Sequence, residues 1–125
     1  MDQKYCILIA DDESLNYLFY REILDENIYD IIYAENGSEA IRLLVENHDK
    51  INLILMDIKM PVMDGVTATI EIRKFDSKIP IIAQTAYAYR EDYQRALDAG
   101  CNDYIAKPIH EEELNKKIKS LLKIV

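Results

Sequence analysis

The sequence predicts a doubly wound α/β sandwich, a parallel sheet between two layers of helices. Three observations carry that expectation. Short apolar runs rich in isoleucine recur along the chain. Amphipathic stretches with helical spacing lie between them. No linker, low-complexity run or charge block interrupts the alternation. Alternating strands and helices build right-handed βαβ units and a sheet covered on both faces. The 125 residues fit one compact domain, so 1–125 reads as a single unit.

The strand runs are CILIA (6–10), IIYA (31–34), NLILM (52–56), PIIAQ (80–84) and DYIA (103–106). Bounded by polar or turn residues, they suit strands buried on both faces. Helical stripes fill the gaps. Leu15, Leu18, Phe19 and Ile23 form the first, and Ala40, Ile41, Leu44 and Val45 the second. Segment 64–75 carries Val66 and Ile70 behind Asp64, an expected N-cap. Tyr93, Ala96 and Leu97 mark the fourth helix, and Leu114, Ile118, Leu121 and Leu122 the fifth. Gly37 precedes the second helix, Gly65 opens the third, and Gly100 closes the fourth as a C′ residue. Pro80 begins a strand, where its missing N–H costs least.

Composition removes several function classes. The net charge of −8 repels phosphate backbones and argues against direct nucleic-acid binding. No apolar run approaches the roughly 20 residues of a membrane span, and MDQKY lacks a signal-peptide pattern. Cys6 and Cys101 show no metal spacing and read as reduced thiols. A cytoplasmic domain without membrane contact is expected, whether or not a parent chain is membrane-anchored.

In doubly wound sheets, ligands collect at the carboxyl ends of the strands. The first run ends at Asp11, Asp12 and Glu13, the third at Asp57, the fourth at Gln84, Thr85 and Ala86, and the fifth at Lys107. Carboxylates gathered on one rim repel each other, and a hard divalent cation relieves that repulsion. Mg²⁺ (or Mn²⁺) is the expected cofactor. Asp12 and Asp57 are its expected direct ligands, Asp11 holds a metal-bound water, and the turn after Asp57 aims the Lys59 carbonyl at the ion. Such a site suits phosphoryl transfer, which needs positioning and cationic groups. Asp57 attacks phosphorus to form an aspartyl phosphate. Lys107 neutralises the transferred group, Thr85 donates its hydroxyl to it, and small Ala86 leaves the entrance open. The chain has neither GxxxxGK[ST] nor GxGxxG, so the phosphoryl group must arrive already activated.

The motifs "IADDE" (9–13), "MDIKMPVMDG" (56–65), "IIAQTAYA" (81–88) and "YIAKPI" (104–109) together resemble a response-regulator receiver domain of two-component signalling, over nearly the whole chain. The resemblance implies a flavodoxin-like fold with strand order 2-1-3-4-5. It implies that Asp57 takes phosphate from a phosphohistidine on a histidine kinase or a histidine phosphotransfer domain. Asp11 and Asp12 match the family's acidic pair, Thr85 its switch hydroxyl, Tyr104 its aromatic switch and Lys107 its phosphate-sensing lysine. Pro108 matches a position with a cis Lys–Pro bond. Lys59 and Tyr87 match the positions that tune water attack on the phosphoaspartate, and their size implies slower loss. Such a domain catalyses its own phosphorylation and dephosphorylation without conventional turnover. Asn16 and "AGCNDYIAKPI" resemble receivers attached to hybrid histidine kinases. A segment of a hybrid sensor kinase is therefore expected ahead of a stand-alone regulator, with a homodimer as an open option.

Two other readings compete. An aspartate-nucleophile phosphatase needs an acid/base carboxylate two residues past the nucleophile, where this chain has Lys59. A receiver that has lost phosphate acceptance would not keep Asp11, Asp12, Asp57, Thr85 and Lys107 together. His48 and His110 read as helix-terminal surface residues without a carboxylate at ligand spacing.

Overall fold

The computed structural model describes residues 4–86 and 90–124. Five strands alternate with five helices: β1 (Tyr5–Ala10), α1 (Ser14–Ile23), β2 (Tyr29–Ala34), α2 (Gly37–Glu46), β3 (Ile51–Asp57), α3 (Gly65–Phe75), β4 (Ile81–Thr85), α4 (Arg90–Ala99), β5 (Asp103–Ala106) and α5 (Glu111–Leu122). All neighbouring strands pair in parallel, in the order β2-β1-β3-β4-β5. Pro80 precedes β4 rather than opening it, and its carbonyl accepts the Ile54 N–H at 2.9 Å. Among the described residues, no helix is long and apolar enough to cross a membrane.

Side chains on a strand alternate between faces, so the central strands feed two cores. Leu8, Ile54, Met56 and Ile81 pack with Ala40, Leu44, Ala68, Ile72 and Ala96 under α2, α3 and α4. Ile7, Ile9, Leu53, Leu55 and Ile82 pack with Tyr20, Leu114 and Ile118 under α1 and α5. Burying each of these Leu or Ile side chains is worth about 1.5–3 kcal/mol. The central strands have no polar face to give away, so polar groups gather only where the strands stop.

The Asp64 cap is as expected, whereas Gly37, expected to precede the second helix, is its first residue, with Asn36 as the N-cap. Asp64 accepts the Thr67 N–H at 2.8 Å, and Asn36 does the same for Glu39. Gly100 follows α4 at φ 119°, and the Cys101 N–H reaches back to the Ala96 carbonyl, a Schellman-type ending.

The first helix departs from expectation. Leu15 and Leu18 are 75% and 56% exposed, and Phe19 is also exposed. The buried residues are Tyr20 in the helix and Leu24 at its C-cap. The helix is turned by about one residue, roughly 100°, from the stripe read in sequence. The cause is the tyrosine: its ring is large enough to fill the core and takes the inward position in place of Leu15, Leu18 and Phe19. His48 is exposed just after α2, as expected, and its Nε2 lies 2.9 Å from the Asp76 carboxylate, which the chain turn after α3 delivers.

The orientation of α1 has a measurable consequence. Leu18→Ala should change unfolding free energy by no more than about 0.5 kcal/mol. Leu44→Ala, made on a fully buried side chain of α2, should cost about 2–5 kcal/mol. Equal losses in urea unfolding would overturn the observed rotation of α1.

Candidate functional site

Four strand ends build one acidic hollow. Asp57 is the last residue of β3, and Asp11 follows the last residue of β1. The register pairs Ala10 with Met56, so the two aspartates leave neighbouring strands side by side. Thr85 ends β4 and Lys107 follows β5. The Lys107 N–H bonds the Thr85 carbonyl at 2.7 Å, continuing the ladder one step past β5.

The chain behind Asp57 is locked. The Gly65 N–H bonds the Ile58 carbonyl at 2.8 Å. A Cβ on Gly65 would stand 2.0 Å from the Asp57 carbonyl oxygen, so only glycine fits there. Between them the Met63 N–H reaches the Pro61 carbonyl at 2.7 Å across Val62, whose φ is 69°. That is a γ-turn of the strained kind, on a β-branched and exposed residue.

Lys107 Nζ lies 3.0 Å from Asp57 Oδ2 and 3.6 Å from Asp11 Oδ2. The Lys59 N–H donates to Asp57 Oδ1 at 3.1 Å. Asp11 is fully buried, and its Oδ1 accepts the Glu13 N–H at 2.9 Å while Oδ2 accepts Asn16 Nδ2 at 3.0 Å. Asp12 is exposed at the mouth. Oxygen atoms of Asp11, Asp12 and Asp57 lie within 4.8 Å of one another. Three carboxylates thus face one ammonium, and their all-oxygen donor set fits a hard divalent cation.

Burial sets the electrostatics. It pushes the Asp57 carboxyl above its ordinary value, more than the charge and hydrogen bond of Lys107 pull it down. For Lys107 burial pulls downward, but the attraction of Asp57 outweighs it and the net shift is upward. The Tyr33 phenol is pushed up to about 12 by burial and then by Asp11, Glu35, Asp12 and Glu39, so it remains a donor. Burial, then the charges of Asp11 and Asp57, push the Tyr20 phenol up too.

The structure therefore brings Asp11, Asp12, Asp57 and Lys107 together, with Thr85 buried at the adjoining strand end. Lys59 adjoins Asp57 through its N–H. Ala86 is exposed beside Thr85. The Tyr104 ring packs against Tyr93, with centroids 4.0 Å apart and planes tilted by 31°, and Lys117 Nζ lies 5.9 Å from its centroid. Tyr87 lies outside the described residues. The Lys107–Pro108 bond is cis.

The profile of the response regulator receiver domain matches residues 7–119. The chain belongs to that family. Two curated relatives are each 36% identical to this receiver domain. One is hybrid signal transduction histidine kinase I of Dictyostelium discoideum, covering 91% of this chain; the chain spans 7% of the kinase. The other is the polar-differentiation response regulator DivK of Brucella anthropi, covering 93% of this chain and 94% of its own length. Among solved structures, the receiver domain of sensor histidine kinase PA1611 from Pseudomonas aeruginosa, with magnesium in its active-site cleft, is similar at TM-score 0.85 and 33% identity. It covers 97% of this chain and 99% of that one. The co-crystal of the Saccharomyces cerevisiae phosphotransfer protein Ypd1 with the Ssk1 receiver domain is similar at TM-score 0.88 and 31% identity, covering 97% and 90%. This chain is thus a receiver domain of two-component or phosphorelay signalling, with the CheY-like flavodoxin fold. Of these neighbours, the Ssk1 receiver domain is seen with a histidine phosphotransfer protein, and the PA1611 receiver domain is part of a sensor histidine kinase.

Three residues beside the site were given no role in the sequence reading. Asn16 was noticed only as a subgroup resemblance, yet it holds Asp11. Tyr33 donates its hydroxyl to the Asp11 carbonyl. Gln84 pairs in register with Asp57 and is fully buried, and its side-chain amide has no hydrogen-bond partner among the described residues. Only the polarity of Gln84 within an apolar strand could have flagged it.

The raised Asp57 pKa gives a stability prediction whose sign is the reverse of the usual salt-bridged carboxylate. The native state binds more protons than the unfolded state between the ordinary value, about 3.9, and the higher native one. Stability therefore falls as pH rises through that window, and the penalty persists at neutral pH. Without divalent metal, Asp57→Asn should raise the melting temperature at pH 7 by a few degrees. That advantage should vanish below about pH 4. A lower melting temperature for the variant at pH 7 would contradict the assignment.

Proposed function

We propose that Asp57 is the phosphoacceptor of this receiver domain. The observation that carries this is the meeting of Asp57 with Lys107 at 3.0 Å inside the three-carboxylate hollow. One carboxylate oxygen of Asp57 attacks phosphorus in line. The bond from phosphorus to the donor's imidazole nitrogen breaks, and the imidazole keeps the electron pair. Phosphorylation makes Asp57 an acyl phosphate, so Lys107 loses its partner carboxylate and turns to the phosphoryl oxygens. Thr85, at the next strand end, offers its hydroxyl to the same oxygens. Ala86 leaves the approach open, and Lys59 flanks it.

Asp12, Asp57 and the Lys59 carbonyl would hold Mg²⁺ (or Mn²⁺), with Asp11 acting through a water. When bound, the ion neutralises the carboxylates and draws charge from the phosphoryl oxygens. Residues 1–125 form the receiver unit, working in the cytoplasm. We assign it to a hybrid sensor histidine kinase; a stand-alone regulator is the second reading, favoured by the likeness to DivK over 94% of its length. The coding sequence on either side of these residues decides between the two.

The donor is a protein phosphohistidine, on a kinase or a phosphotransfer domain. The exposed apolar face of Leu15, Leu18 and Phe19 supports a docked protein, because Asn16 on the same helix bonds Asp11. In the phosphorylated state Thr85 moves toward the phosphoryl group, and Tyr104 leaves Tyr93 to fill the space behind it. The surface of α4, β5 and α5 changes with it.

Incubation with acetyl phosphate and Mg²⁺ should add one phosphoryl mass, stable in acid and labile in base, and Asp57→Asn should abolish it. Absence of any covalent gain would end the proposal, and multiple turnover of a phosphoester would favour a phosphatase. Leu18→Arg should slow transfer from a phosphorylated histidine phosphotransfer domain about tenfold or more, an interfacial loss of about 1.4 kcal/mol. The acetyl phosphate reaction should be unaffected. For the switch, Tyr104→Ala should leave phosphorylation intact and remove its effect on partner affinity. Phosphate-dependent binding that survives the change would refute the movement of Tyr104.

A further inference from the structure

We infer that Tyr33 is a positioning residue for the acidic pair: its hydroxyl, bonded to the Asp11 main-chain carbonyl, fixes the direction in which Asp11 and Asp12 meet Asp57. The inference rests on the reading of Asp11, Asp12 and Asp57 as a divalent-cation site. Tyr33 lies on β2, a strand that supplies no carboxylate to the hollow.

The argument begins where the β1–β2 ladder runs out. The last paired residues are Ala10 and Ala34, and the Asp11 N–H makes the final main-chain bond, to the Ala34 carbonyl at 3.0 Å. Beyond it the Asp11 carbonyl has no strand partner to continue the ladder. Asp11 is fully buried, so an unpaired carbonyl there would be costly. The Tyr33 hydroxyl donates to that carbonyl from the side of β2.

With this bond each polar group of Asp11 is held. The N–H is on β2, Oδ1 is on the Glu13 N–H, and Oδ2 is on Asn16. The carbonyl is the one group tied by Tyr33, and it belongs to the peptide unit that joins Asp11 to Asp12. Rotation of that unit would swing the Asp12 carboxylate relative to Asp57. The Oδ1 bond to the Glu13 N–H closes an Asx-type turn across Asp12, and the Tyr33 hydroxyl anchors the carbonyl side of the same peptide unit, so the two bonds together fix its rotation. The Tyr33 ring is itself fixed, lying 4.9 Å from the Tyr17 ring at an interplanar angle of 52°. Arg21 covers the Tyr17 ring, with its guanidinium carbon 5.9 Å from the centroid. A side chain locked by packing and aimed at a ligand-bearing loop is what orients metal ligands in general, and losing such a partner lowers metal affinity by about 10–100-fold.

Tyr33→Phe deletes the hydroxyl and keeps the ring. Mn²⁺ binding to the unphosphorylated protein, measured by titration calorimetry, should weaken about tenfold. The acetyl phosphate reaction at saturating Mn²⁺ should stay within about twofold of the parent, since the reacting groups Asp57 and Lys107 are untouched. Unchanged Mn²⁺ affinity would overturn the role of Tyr33. So would a drop in affinity matched by an equal drop in the saturated rate, which would show general disorder of the site. Asp12→Asn serves as the control for the underlying reading. If it binds Mn²⁺ as well as the parent, or if the parent binds none, the cation site itself is wrong, an outcome distinct from failure of Tyr33 alone.

Discussion

The Lys107 ammonium, 3.0 Å from Asp57 and 3.6 Å from Asp11, is the contact on which the rest of the site depends. Two buried carboxylates on neighbouring strands cannot both stay ionised in an apolar sheet without a nearby cation. Lys107 starts beyond β5, the far edge of the sheet, and reaches across β4 to β3 and β1. That reach works only with the strand order β2-β1-β3-β4-β5 and parallel registers that bring all carboxyl ends level. Topology and electrostatics are therefore one constraint. The fold delivers the lysine, and the lysine makes the buried carboxylates tolerable. The same pair also readies the site for chemistry, because a phosphoryl group on Asp57 would leave the ammonium free to follow it.

The site is held at a cost in stability that the apolar layers offset. Burial raises the Asp57 carboxyl even against Lys107, so the hollow holds a desolvated carboxylate that a cation can relieve. The main chain contributes to the same tension. Val62 sits at φ 69° in the turn behind Asp57, and Gly65 is pressed against the Asp57 carbonyl. Strain gathered beside a reactive group, within a sheet of ordinary packing, is a common feature of sites that must change state. Asp11 shows the opposite treatment. Each of its polar groups is bonded, and it serves as a fixed wall against which Asp12 and Asp57 are set.

Helix α1 joins the inner site to the outer surface. Its inward side carries Asn16, which holds Asp11, and Tyr20, which fills the core beneath. Its outward side shows Leu15, Leu18 and Phe19 to solvent. A helix that is apolar outside as well as inside suits a surface that meets another protein. Tyr104 lies elsewhere, between Tyr93 of α4 and Lys117 of α5. On the proposed function, entry of the phosphoryl group and readout of its presence would use separate surfaces of the molecule.

The sequence by itself determined the alternation of elements, the parallel sheet and the identity of Asp11, Asp12, Asp57, Thr85 and Lys107 as strand-end residues. Those are local facts: apolar runs stop, and polar residues stand where they stop. It also determined the Asp64 cap and the Gly100 helix ending, since each depends on neighbours a few residues away. Only the tertiary structure decided which side of α1 faces inward, because a tyrosine is core or surface according to what its hydroxyl meets. Only the tertiary structure paired His48 with Asp76, and Asn16 and Tyr33 with Asp11. Their side chains look unremarkable in line, and their roles come from groups on other strands and turns that the sheet's register sets beside them.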